Sequence, residues 1–191
     1  ILGGLSGNFP YEVKQSRNTP NFDVKIDHQI NANNSVSWRY SFQQPQISVP
    51  PVFGIVGGPG NGAFAGTGTA RSQAPGVSYT HIFSPSLISE VRFGISRVAN
   101  NVNQTDYGTS TAKNIGIGGA NIDPWSSGMS SISISGFDSP MVGYSASEPW
   151  RRTQTNFEVT NTWTKVWGNH QFKWGVEINR ERNDLLQTQT F

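Results

Sequence analysis

Residues 157–180 read Phe157-Glu158-Val159-Thr160-Asn161-Thr162-Trp163-Thr164-Lys165-Val166-Trp167-Gly168-Asn169-His170-Gln171-Phe172-Lys173-Trp174-Gly175-Val176-Glu177-Ile178-Asn179-Arg180. With period two, Phe157, Val159 and Trp163 take one face of a strand, while Glu158, Thr160, Thr162 and Thr164 take the other. A short turn over Val166-Trp167-Gly168-Asn169-His170 reverses the chain. Phe172, Trp174, Val176 and Ile178 then alternate with Gln171, Lys173, Gly175, Glu177 and Asn179. The pattern predicts a β-hairpin with one apolar and one polar wall.

The same unit occurs twice more upstream. Phe22, Val24, Ile26 and Ile30 alternate with Asp23, Lys25, Asp27 and Gln29; the turn at Asn31-Ala32-Asn33-Asn34 leads into Val36, Trp38, Tyr40 and Phe42. Val77, Tyr79 and Phe83 pass through Ser84-Pro85-Ser86 into Val91, Phe93 and Ile95. The expected fold is therefore all-β: an antiparallel meander of three long hairpins, at about 21–44, 76–98 and 154–182, in a single β-barrel segment over 1–191. Long loops at 45–75 and 99–153 join the hairpins.

Composition narrows the setting. Only 14% of the 191 residues are charged, against about 25% in typical soluble domains. The net charge of +2, with no basic cluster beyond Arg151-Arg152, argues against a nucleic-acid partner. Without cysteine there is no disulfide framework, thiolate metal site or cysteine nucleophile. No apolar run approaches the roughly 20 residues of a membrane helix, so any membrane crossing must use strands. Ile1 stands where a Met would start a chain, with no leader-like segment after it, and the expectation is a fragment or a processed chain.

Alternation alone does not separate a membrane barrel from a soluble sandwich. Three features favour the barrel. The period-two runs are nine to eleven residues long, enough to cross a bilayer at a tilt. Connections alternate short and long, as between periplasmic turns and external loops. Phe83, Trp163, Trp167, Phe172 and Trp174 cluster near the turns, where an interfacial girdle falls. Asn161 fits this pattern poorly, whereas His28 and His81 lie near turns at headgroup depth.

The loops hold the residues that could carry chemistry. Gly60-Asn61-Gly62-Ala63-Phe64-Ala65 fits G-x-G-x-x-A, but no helical pattern follows to receive phosphate. The three histidines lie in separate hairpins without ligand spacing, and no metal or other cofactor is expected. Gly143-Tyr144-Ser145-Ala146-Ser147 lacks the closing glycine of a nucleophile elbow. Asp123, Asp138 and Glu148 share the longest loop and are the candidates for a carboxylate pair. The expectation is nevertheless no enzymatic activity but binding, with Trp125, Tyr144, Trp150, Arg151 and Arg152 as ligand contacts: aromatic faces for a glycan or apolar ligand, arginines for anionic groups.

Three stretches resemble TonB-dependent outer-membrane receptors of the Oar-like type, which carry a carboxypeptidase-regulatory-like domain. The first holds Trp163, Gly168, His170, Phe172, Lys173, Trp174, Gly175, Glu177, Ile178 and Arg180. Phe83-Ser84-Pro85-Ser86-Leu87-Ile88-Ser89-Glu90-Val91-Arg92-Phe93-Gly94 is the second and Asn21-Phe22-Asp23-Val24-Lys25-Ile26-Asp27-His28-Gln29-Ile30-Asn31 the third. The resemblance covers roughly residues 21–182. It implies a barrel of about 22 strands with a plug, in a Gram-negative outer membrane, energised by the TonB complex and taking up a small ligand through external loops. The partners are then outer-membrane lipid, the remainder of the barrel and the plug. The alternatives are a soluble secreted glycan-binding module of sandwich form and, behind it, a loop-based hydrolase.

Overall fold

The alternation at residues 157–180 becomes, in the computed structural model, the last hairpin of one antiparallel sheet; the structure describes residues 9–58, 64–135 and 141–187. Strands β1 (Ser16–Asn18) and β2 (Asn21–Asn31) form one edge. They pair with β4 (Gln46–Val49) and β3 (Asn34–Gln43), which both pair with β5 (Gly66–Ser84). The sheet continues through β6 (Leu87–Gln104) and β9 (Trp150–Trp167) to β10 (His170–Gln187). Helix α1 (Thr111–Asn114) and the ribbon of β7 (Ile132–Ser133) with β8 (Met141–Val142) lie in the longest connection.

Two prolines explain why six crossings read as eight strands. Pro20 separates β1 from β2 and Pro45 separates β3 from β4, since neither can donate to a ladder. The register runs through both breaks. Gln44 N–H reaches the Pro20 carbonyl at 2.9 Å, and Ala70 N–H reaches the Pro45 carbonyl at 3.1 Å. The three hairpin turns hold two residues each, Ala32-Asn33, Pro85-Ser86 and Gly168-Asn169. Gly168 has φ 58° at the first central position, where a mirror-image turn needs positive φ.

The later strands are longer than the alternation predicts: β5 has 19 residues and β6, β9 and β10 have 18 each. The expected loops at 45–75 and 99–153 shorten to 50–65 and 105–149 between strands. Most of the additional length on β5 and β6 is polar on both faces, as in Thr67-Gly68-Thr69 and Asn100-Asn101, whereas β10 adds the exposed Leu185 and Leu186. Backbone pairing continues there, but the side chains carry no period-two signal.

Pairing registers tie the six crossings into rows. One row joins Ile26, Trp38, Val77, Phe93, Val159 and Ile178, apolar on every strand. One step toward the long loops the row is Val24, Tyr40, Pro75, Ile95, Phe157 and Arg180; the next is Phe22, Phe42, Gln73, Arg97, Thr155 and Arg182. The apolar limit thus drops one row between β3 and β5 and another between β9 and β10. With about 3.3 Å per residue and about 4.8 Å between strands, the drop is about 13 Å over about 24 Å. That incline, about 30°, is close to the tilt of strands in a membrane barrel. A flat apolar slab crossing tilted strands produces this stagger.

No layer covers the apolar face among the described residues. Phe22 is 50% exposed, Trp38 58% and Ile178 63%. The small buried apolar cluster, Ala65, Ala112, Met129 and Tyr144, lies between the loops instead. A soluble sandwich would place its core against this face, so the sandwich reading fails here. The opposite face carries Lys25–Asp27 at 2.8 Å, Arg39–Asp23 at 3.2 Å and Arg92–Glu90 at 2.8 Å, a charged polar wall.

Candidate functional site

The two long connections fold onto each other above the loop end of the sheet. Gly57 and Gly143 pair as an isolated parallel bridge, with Gly58 N–H to Gly143 O at 2.6 Å and Gly143 N–H to Val56 O at 2.8 Å. The approach needs glycine: a Cβ on Gly143 would lie 1.9 Å from the Ser130 carbonyl oxygen, and one on Gly57 2.5 Å from Gly143 O. Asn121, with φ 55°, organises the longer loop. Its Oδ1 accepts Lys113 N–H at 2.9 Å, and its Nδ2 donates to the Ser126 and Gly128 carbonyls at 2.7 and 2.8 Å.

This packing leaves a cavity of about 360 Å³, walled by Ile122, Trp125, Met129, Tyr144, Gln104 and Glu148. The volume falls within the range of small-ligand sites. Gln104 and Glu148 are each 5% exposed. Gln104 donates through Nε2 to Ser127 O at 2.8 Å, but its Oε1 has no partner, nor does either Glu148 carboxylate oxygen. Burial pushes the Glu148 carboxyl up to about 7; the Ser145 amide pulls the other way without making a full hydrogen bond. Asp106, beneath the same loop, is also raised by burial, although its Oδ2 accepts Met129 N–H at 2.7 Å.

Of the sequence-derived contacts, Trp125 and Tyr144 reach this cavity, and Tyr144 is 3% exposed within the loop cluster. The Arg151 guanidinium lies 5.6 Å from the Trp125 ring centre and 5.8 Å from that of Tyr107. It donates to Val102 O at 2.8 Å, Trp150 O at 2.9 Å and Asn103 Oδ1 at 2.6 Å, and so ties the start of β9 to the end of β6. Trp150 begins β9 opposite Val102 and Gln187. Arg152 is separate from this group, on the polar face with Asn183 Oδ1 at 3.1 Å.

Of the two candidate carboxylates among the described residues, Glu148 lines the cavity and Asp123 does not. Asp123 accepts Ser126 N–H at 2.7 Å, which holds its carboxyl below the usual range, and it is not in the cavity wall. Asp138 and the Gly60–Ala63 part of the glycine fingerprint lie outside the described residues. The fingerprint's Ala65 is buried in the loop cluster, and β5 rather than a helix begins at Gly66. Gln104 has no signature in the sequence, because a glutamine at the end of a polar strand carries no periodic signal. Glu148 stood out only as a loop carboxylate, and its burial follows from the tertiary packing.

The arrangement presents unpaired acceptors beside aromatic and aliphatic walls. It suits a small ligand with an apolar face and hydroxyl or amine donors. A family model described as an outer membrane beta barrel domain matches residues 2–191. No curated protein and no solved structure matches the chain.

Proposed function

The chain belongs to the outer membrane beta barrel domain family and lies in the bacterial outer membrane, and from that premise we propose that it is a wall segment of a larger TonB-dependent receptor whose external loops bind a small ligand for uptake. The observation that supports the barrel-wall part of this reading is the uncovered apolar belt, stepped to match tilted strands in a lipid slab. Among the described residues β2 pairs only with β3 and β10 only with β9, so both edges stay open. Open edges do not persist in hydrocarbon. Further barrel strands complete them.

The uptake part of the proposal is supported by the motif resemblance and by the loop cavity with its unpaired acceptors. The plug and the TonB complex act through the complete receptor. The segment itself contributes binding and no catalysis. Cells with and without the receptor are compared for uptake of labelled oligosaccharides, with and without a protonophore. Saturable uptake that needs both the receptor and the proton-motive force is expected. Unsaturable permeation indifferent to the protonophore would instead indicate a passive pore.

A further inference from the structure

A second concave site lies on the lipid-facing side, away from the loop cavity. Its groove of about 430 Å³ is walled by Trp38 and Tyr40 of β3 and by Phe93 and Ile95 of β6, over a floor at Pro75 and Val77 of β5. The floor is low because the large side chains stand on the two flanking strands. Directly toward the loop end, the same face of β5 and β6 turns basic. Arg97 is opposite Gln73, and Arg71 is opposite Ala99, so the two arginines are diagonal neighbours, about 7–8 Å apart at Cα.

Both arginines are exposed, and neither is in an ion pair among the described residues. The Arg71 guanidinium lies 5.8 Å from the ring centre of Phe42, at the upper limit of the belt on β3. An apolar trough therefore ends in two uncompensated guanidiniums at the level where hydrocarbon gives way to headgroups. The long loops mark this end as the outward side.

We propose that this groove and arginine pair form a binding site for a phosphorylated lipid of the outward leaflet, one acyl chain in the trough and a headgroup phosphate beneath Arg71 and Arg97. The pairing is by charge and by continuity. Guanidinium matches phosphate with parallel N–H donors, and the trough leads into the pair on the same two strands. A protein segment would need its own carboxylates at this depth to satisfy the arginines, whereas a phosphorylated lipid brings its charge there by its own insertion. The site rests on the outer-membrane placement and not on transport.

The complete receptor, purified in detergent and shown to be folded by its heat-modifiable band, is incubated with lipid A or with lipid A stripped of its phosphates. Bound lipid is counted by native mass spectrometry. Lipid A is expected to be retained preferentially, with retention falling about fivefold for each arginine removed in Arg71→Gln and Arg97→Gln. Arg71→Lys with Arg97→Lys keeps the charge and retains most of the lipid. Val77→Phe raises the trough floor and lowers retention of both forms, and Arg92→Gln on the opposite face changes nothing. Equal retention of the two lipids, or undiminished retention by the folded Arg97→Gln variant, would overturn the proposal.

Discussion

Trp163 donates its indole N–H to Asn161 Oδ1, 2.5 Å away on the same strand and the same lipid-facing side. Asn161 in turn donates to Ser89 Oγ at 3.1 Å. Ser89 is small and buried on β6, where it lets Phe83 and Trp163 stack across it at 5.2 Å. Trp163 then stacks on Trp174 at 6.4 Å with planes 7° apart. The asparagine that breaks the apolar pattern is the polar partner of the aromatic girdle.

Asn161→Ala is accordingly expected to destabilise the folded barrel by about 1–2 kcal/mol, since it leaves an indole N–H in an apolar setting without its acceptor. Urea unfolding of the receptor in lipid vesicles measures this. An unchanged midpoint would show that the contact contributes nothing.

A charge in the all-apolar row tests the belt itself. Val159→Arg is expected to cost about 2–4 kcal/mol in lipid, as arginine does near the bilayer midplane. Thr160→Arg, one residue on and facing the polar wall, is expected to cost under about 1 kcal/mol in the same unfolding assay. Equal costs would contradict the assignment of faces.

The raised Glu148 carboxyl makes loop packing pH-dependent. Below about 4.5, the ordinary glutamate value, the group is neutral whether the loop is packed or open. Between about 4.5 and about 7 the open loop carries an ionised carboxylate that the packed loop resists, and stability is lost as pH rises across that window. The loss is on the order of 3 kcal/mol. Hydrogen exchange in residues 105–149 is expected to quicken between about pH 4.5 and 7, and Glu148→Gln to flatten that dependence.

Gly143→Ala forces a Cβ against the Ser130 carbonyl at a φ of 84°. The expected cost is about 1–3 kcal/mol, confined to the loops. Limited proteolysis should cut residues 105–149 faster while the heat-modifiable barrel band stays unchanged. Protection equal to that of the parent would show that the Gly57–Gly143 bridge does not hold the loops together.

The hairpins were legible because a belt with lipid on one side and water on the other imposes period two on the side chains. Val24, Trp38, Phe93 and Ile178 report that alternation directly. Where β5, β6, β9 and β10 rise beyond the belt, both faces are wet and the signal lapses at Gln73 and Arg97, although the ladder continues. The site was only partly legible. Trp125 and Tyr144 stood out as aromatic residues in a loop, but the burial of Gln104 and Glu148 depends on contacts between connections far apart in sequence. Arg151 looked like an anion contact, and its donors instead meet Val102, Asn103 and Trp150, a geometry that residue type does not disclose.

The most direct test of the lipid-facing wall uses the absence of cysteine from the chain. Single cysteines are placed one at a time from 156 to 164, spin-labelled, and read by power-saturation EPR with oxygen and with a polar nickel chelate in reconstituted vesicles. Positions 157, 159 and 163 should show high oxygen and low nickel accessibility, and positions 158, 160 and 162 the reverse. Low accessibility to both reagents at 157, 159 and 163 would mean that protein covers the apolar face, and would contradict the account.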